Sequence, residues 1–133
     1  MTLTIKLLQH KKRDLNGKWY GKVVKTGEVH TKELAETISH NSTLTRADVE
    51  AAIIALVEEM KRRLQHGETV VLDGFGRFHL SIKGDMVENP KDYNLQKHVN
   101  QIRCLFTPAG TRDPFDRHIE RYFTEGIELQ KEI

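Results

Sequence analysis

Apolar positions alternate with polar ones in several short stretches and recur at helical spacing in one long stretch. Leu3, Ile5 and Leu7 fall on one side of an extended chain. Trp19 to Val24 is aromatic and β-branched, as strands prefer, and Asn16-Gly17 before it signals a turn. Two strands are therefore expected within residues 1–26. Thr31 can cap a short helix to about Ser39, with Leu34, Ala35 and Ile38 on its buried face, and Asn41-Ser42-Thr43 ends it. Thr45 and Asp48 then have the spacing of a capping box. The long helix that follows ends at Gly67, a favourable residue just past a helix C-terminus. Val49, Ile53, Leu56, Val57, Met60 and Leu64 form one stripe roughly 100° wide, while Glu50, Glu58, Lys61 and Arg62 lie away from it. Ile54 stands among the charged residues and is expected to touch another element or another subunit.

Thr69 to Leu72 reads as a short buried strand. Gly74-Phe75-Gly76-Arg77-Phe78 follows, its glycines permitting backbone angles closed to other residues. Phe78, Leu80 and Ile82 then alternate with Arg77, His79, Ser81 and Lys83, a half-buried strand with one wet, partly basic face. Residues 84–100 are polar, with Asn89-Pro90 marking a turn. Ile102 to Thr107 is another strand, ended by Pro108. Asp113 as cap and Pro114 at the first helical position open a last helix to about Thr124, with Phe115, Ile119 and Tyr122 or Phe123 on its apolar face. Gly126 precedes a charged tail. No repeat interrupts this order, which describes an α+β fold.

A chain of 133 residues suits one domain with or without an appended element. At 38% hydrophobic it can bury a small core, which a dimer would enlarge. The formal net charge of +2 serves nucleic-acid binding only if the charges are segregated in space. The lone Cys104 excludes an internal disulfide and reads as a small buried hydrophobe. No apolar run is long enough to span a membrane, and the N-terminus lacks the pattern of a signal peptide, so a cytoplasmic protein is expected. The seven histidines are scattered outside any recognised metal motif. Gly74-Phe75-Gly76 lacks the features of a phosphate loop, and no nucleophile–base pair is visible. The expectation is a binding protein without catalytic residues, metal, cofactor or small-molecule substrate. Lys11-Lys12-Arg13 is a basic run in a loop. Arg77 and Lys83 share a strand face with His79 and Ser81. That face is either simply solvated or a floor that meets phosphates.

From Glu33 onward the chain resembles the HU/IHF family of histone-like bacterial DNA-binding proteins. The residues that carry the resemblance are Glu33-Leu34, Ile38, Leu44-Thr45 and Val49-Glu50-Ala51-Ala52, then Gly67-Glu68, Val70, Leu72 and Gly74-Phe75-Gly76-Arg77-Phe78. Asn89-Pro90 and Pro108-Ala109 extend it weakly. Residues 31–83 match well and residues 84–124 loosely. The resemblance implies an intertwined dimer, here expected to be a homodimer, with a body of helical hairpins and two β-arms that reach around duplex DNA. Arm-tip prolines of that family wedge between base pairs in the minor groove and bend the duplex. Pro90 matches the tip proline, Asn89 its neighbour, and Lys83 a basic arm residue. Arg77 occupies a variable position of the motif. Lys91, Lys97 and Arg103 complete the expected DNA-binding set. The function implied is largely sequence-neutral binding that bends DNA or stabilises bent DNA, in a nucleoid-associated, cytoplasmic protein.

Three features depart from the family. Residues 1–28 precede its usual start and resemble the extension of longer HU-like proteins through Gly17-Lys18-Trp19-Tyr20. Residues 84–98 carry Asp85, Glu88 and Asp92 against Lys91 and Lys97, a formal −1. The path from Pro90 to Pro108 is also longer than in short members. Asn89-Pro90 therefore reads equally as a turn pair. The alternative is an HU-fold structural or protein-interaction module with weak or no DNA affinity. The expected division is a β extension over 1–28, an HU-like domain over 29–124 and a charged tail over 125–133.

Overall fold

The computed structural model describes residues 1–12, 17–112 and 119–133. The first elements are β1 (Thr2–Gln9), β2 (Trp19–Val23), α1 (Thr31–His40), α2 (Arg46–Gln65), β3 (Val70–Leu72) and β4 (Gly76–Gly84). A 3₁₀ turn (Pro90–Asp92), α3 (Leu95–His98), β5 (Val99–Pro108), β6 (Gly110–Arg112), β7 (Ile119–Arg121), a 3₁₀ turn (Tyr122–Thr124) and β8 (Glu128–Lys131) follow. They form two compact units, one from Met1–His30 with Thr124–Ile133 and one from Thr31–Phe123.

In the first unit, β1 is central, antiparallel to β2 and parallel to β8. Both N-terminal strands form as their composition suggests. β8 lies within the segment expected as a charged tail. Its Gln130 amide donates to the Thr4 hydroxyl at 2.8 Å.

The larger unit begins with the α1–α2 hairpin. Ser42 closes it by donating its hydroxyl to the Ile38 carbonyl at 2.7 Å. Ala35, where a small side chain suits two packed helices, is fully buried. The capping box forms: Thr45 Oγ1 accepts from the Asp48 amide at 3.1 Å, and the Asp48 carboxylate accepts from the Thr45 amide at 3.4 Å. Val49 and Leu64 anchor the two ends of α2 in the core, whereas Leu56 and Val57 remain exposed.

A turn closed by Phe75 N to Leu72 O at 2.9 Å joins β3 to β4. Gly76 is buried at φ 153°, and a side-chain carbon there would collide with the Thr107 carbonyl and the Phe106 ring. This close approach gives β4 its place beside β5 and admits only glycine. Phe78 stacks on Phe106 at 4.7 Å, and Phe75 meets Phe106 and Phe123 edge-on at 5.6 and 5.7 Å.

Two expectations need correcting. The last helix does not form among the described residues from 119 onward. Ile119–Arg121 pairs with Gly110–Arg112, and Tyr122 N donates to Ala109 O at 2.9 Å. These backbone groups bond to a neighbouring strand instead of along a helix. Asp113, Pro114 and Phe115 lie outside the described residues. The extended arm is likewise not a pair of strands: the β4–β5 ladder stops at Gly84 and Val99, after a register shift at Lys83/Gly84. Asp85 N donates to His98 O at 2.8 Å, so the connection over 85–98 closes at its base. Gly84 is required there, because a side-chain carbon would strike the His98 carbonyl.

Candidate nucleic-acid interface

Strand residues alternate between faces, and residues directly opposite in an antiparallel pair share one. The β4–β5 register therefore sorts the expected cations. Arg77 stands opposite Thr107, His79 opposite Leu105, Ser81 opposite Arg103 and Lys83 opposite Gln101. Arg77, Lys83 and Arg103 thus share one face, all three exposed, with His79 and Ser81 half-buried between them. Among the described residues no acid pairs with these three cations. They are available to an anion.

The arginines of α2 are engaged differently. Glu59 binds Arg62 at 2.6 Å and Arg63 at 2.9 Å, and Arg63 also reaches Glu68 at 3.4 Å. The Arg62 hydrogen bond, followed by that of Arg63, lowers the Glu59 carboxyl from 4.5 to about 2.

The opposite face of the ladder carries Phe78 with Phe106, Leu80 with Cys104, and Ile82 with Ile102. Helix α2 covers it in part, leaving an open hollow lined by Val57, Met60, Leu64, Phe78, Leu80 and Ile102. Cys104, expected to be buried, is exposed, because this cover is incomplete.

The remaining expected residues lie in the connection between β4 and β5. Asn89 Oδ1 accepts from the Lys91 amide at 3.1 Å, and Pro90 opens the 3₁₀ turn. Lys91 is exposed within that turn. Lys97 belongs to α3, capped by Asn94, whose Oδ1 accepts from Gln96 N at 2.9 Å and Lys97 N at 3.2 Å. Asn89 and Pro90 therefore make a local turn. Of the seven expected residues, three share the sheet face, three share the turn and one stands in α3. Gln101 and Thr107 also join the basic face. Only the pairing register reveals them, since neither stands out in the sequence.

Among the described residues, no group of three His, Cys, Asp or Glu side chains is arranged to hold a metal ion. No described helix is long and apolar enough to cross a membrane.

Residues 1–111 match the HU-HIG family model, an HU domain fused to a wHTH, Ig or glycine-rich motif. Over 60 residues the chain is 38% identical to integration host factor subunit alpha of Aliivibrio fischeri (strain MJ11), covering 44% of this chain and 61% of that protein. Over 46 residues it is 44% identical to the DNA-binding protein HU of Clostridium pasteurianum, covering 35% of this chain and 50% of that protein. The chain thus spans about half to three-fifths of the length of these curated relatives. The crystal structure of a putative bacterial DNA-binding protein from Bacteroides vulgatus ATCC 8482 superposes with a TM-score of 0.63 at 14% identity, over 99% of this chain and 49% of that one. That likeness is one of fold.

Proposed function

Because the chain belongs to the HU-HIG family of HU domains fused to wHTH, Ig or glycine-rich motifs, we propose that it is a non-enzymatic, largely sequence-neutral binder of duplex DNA. It acts as a homodimer and bends DNA or holds it bent. The observation that carries this reading is the register that gathers Arg77, Lys83 and Arg103 on one exposed sheet face. Unpaired cations on a sheet neutralise phosphates and release counterions without reading sequence. The opposite, half-covered apolar face supports the dimer, which doubles the number of cations on the DNA. Pro90, exposed at the start of its turn, is the candidate wedge, with Asn89, Lys91 and Lys97 beside the duplex. The wedge reading makes this turn the part that distorts the helix.

A titration of duplex binding against salt tests the reading. About five effective phosphate contacts per dimer give a slope of log K against log salt of about −4 to −5. Lys83→Ala removes one contact per subunit and flattens the slope by about 2, equally for all sequences. Pro90→Ala lowers bending, read by energy transfer between labelled duplex ends, while much of the affinity persists. Absence of duplex binding at low salt refutes the proposal. One observation favours the alternative, a protein-interaction module: residues 31–123 carry 13 Lys and Arg against 14 Asp and Glu, a formal −1.

A further inference from the structure

The charge of the chain is divided unevenly. Residues 1–30 hold seven Lys and Arg against only Asp14 and Glu28, a formal +5. The surplus of basic charge thus lies outside the unit that carries the HU-like residues.

The β1–β2 register places much of it on one side of a sheet. Lys6 stands opposite Lys22 and Leu8 opposite Tyr20. His10 N donates to Lys18 O at 2.8 Å, which extends the same ladder by one step. Lys6, Lys18, Lys22, His10 and Tyr20 therefore share a face. The His10 and Tyr20 rings meet on it with centroids 5.4 Å apart. Leu3, Ile5, Leu7, Trp19 and Val23 alternate with them onto the other face. Tyr20 is 44% exposed, and among the described residues none of Lys6, Lys18 and Lys22 is paired with an acid. Two acids of the C-terminal segment meet this face at the β8 edge. Glu128 stands opposite Thr2, and Glu132, whose amide donates to Ile5 O at 2.8 Å, continues the register opposite Lys6. Lys18, Tyr20 and Lys22, by contrast, belong to the strand on the other side of β1.

We propose that this face of the N-terminal sheet is a second nucleic-acid site that binds a single strand. Lys18 and Lys22 stand about 7 Å to either side of Tyr20 along the strand. A cation, an aromatic ring and a second cation in sequence match a phosphate, a stacked base and a phosphate further along an extended strand, more than one nucleotide from the first. Stacking on an exposed ring needs a base whose own face is free, which a duplex interior withholds and a single strand offers. The complementary charge is that of a polyanion, and single-stranded DNA and RNA share both recognition elements.

Fluorescence anisotropy with the full chain tests the site, using labelled single-stranded DNA and RNA of about 12 nucleotides, a length within the range bound by stacking platforms, and a duplex of the same sequence. Replacing Lys6, Lys18 and Lys22 together by Gln should flatten the single-strand salt slope by about 2, at about 0.7 per contact. Tyr20→Ala should weaken single-strand binding roughly 10-fold while Tyr20→Phe retains it. Lys83→Ala should weaken duplex binding more than single-strand binding, and Tyr20→Ala the reverse, so failure of duplex binding on β4–β5 is distinguished from failure here. Binding of either DNA or RNA strands through Tyr20 sustains the proposal. It is overturned if the wild-type chain binds neither single strand at low salt. It is equally overturned if Tyr20→Ala, with an unchanged circular dichroism spectrum, keeps full affinity. Equal losses of duplex and single-strand binding in the triple variant would also overturn it.

Discussion

Ile102 gives the sharpest test of the proposed dimer. It lies opposite Ile82 on the apolar face of the β4–β5 ladder, and 68% of it is exposed in the single chain. Fully burying an isoleucine is worth about 1.5–3 kcal/mol, so covering its exposed two-thirds contributes about 1–2 kcal/mol. A two-fold interface repeats each contact, which makes the contribution about 2–4 kcal/mol per dimer. Ile102→Ala forfeits most of this and should weaken the dimer roughly 30- to 1,000-fold. Sedimentation velocity across a dilution series measures the shift directly. Thermal midpoints should also rise with protein concentration, as they do when folding and association are linked. A wild-type chain that stays folded and monomeric at micromolar concentration would refute the reasoning. So would an Ile102→Ala dimer as tight as the parent.

Thr45→Ala removes the hydroxyl that accepts from the Asp48 amide and should cost about 1 kcal/mol in urea unfolding. Gly84→Ala should lower the thermal midpoint, because the new methyl meets the His98 carbonyl; an unchanged melt would count against the close approach at the base of the connection. Glu59 has a folded-state value of about 2 against an ordinary 4.5. Its contribution is therefore fully present above about 4.5 and lost as pH falls toward 2. Wild-type and Glu59→Gln chains should converge in stability across that window, and added salt should shrink the difference, since the cluster is exposed.

The helical hairpin could be read from the chain because its signals are local. Thr45 and Asp48 are three residues apart, Gly67 lies next to the end it marks, and the stripe from Val49 to Leu64 needs only helical periodicity. The alternation from Arg77 to Lys83 was readable for the same reason. What local patterns do not contain is the partner. That Ser81 faces Arg103 depends on a register fixed across 22 residues of sequence. Ile119 and Tyr122 have helical spacing, yet their segment pairs with Gly110–Arg112, and a distant strand outweighs weak local preference. β8 offers a single apolar residue, Leu129, among Glu128, Gln130 and Lys131, too little pattern to announce a strand. Cys104 was expected to be buried because an alternating strand has a core side, but coverage of that side depends on how far α2 extends over it, and α2 leaves it open.

The pairing of β8 with β1 dictates an order of assembly. Thr4 and Gln130 are 126 residues apart, while β1 and β2 are joined by a short loop. Closing the longer loop in an unfolded chain costs about 2 kcal/mol more than closing the shorter one. Prior folding of residues 31–123 contracts the intervening chain and reduces that cost. During synthesis the β1–β2 hairpin emerges first with one edge of β1 unpaired, a template for misassociation. The third strand cannot cover that edge until Lys131 has left the ribosome. A chain cleaved ahead of β8 would keep its hairpin and its helices but expose the β1 edge permanently, so proteolytic trimming would favour strand-to-strand aggregation.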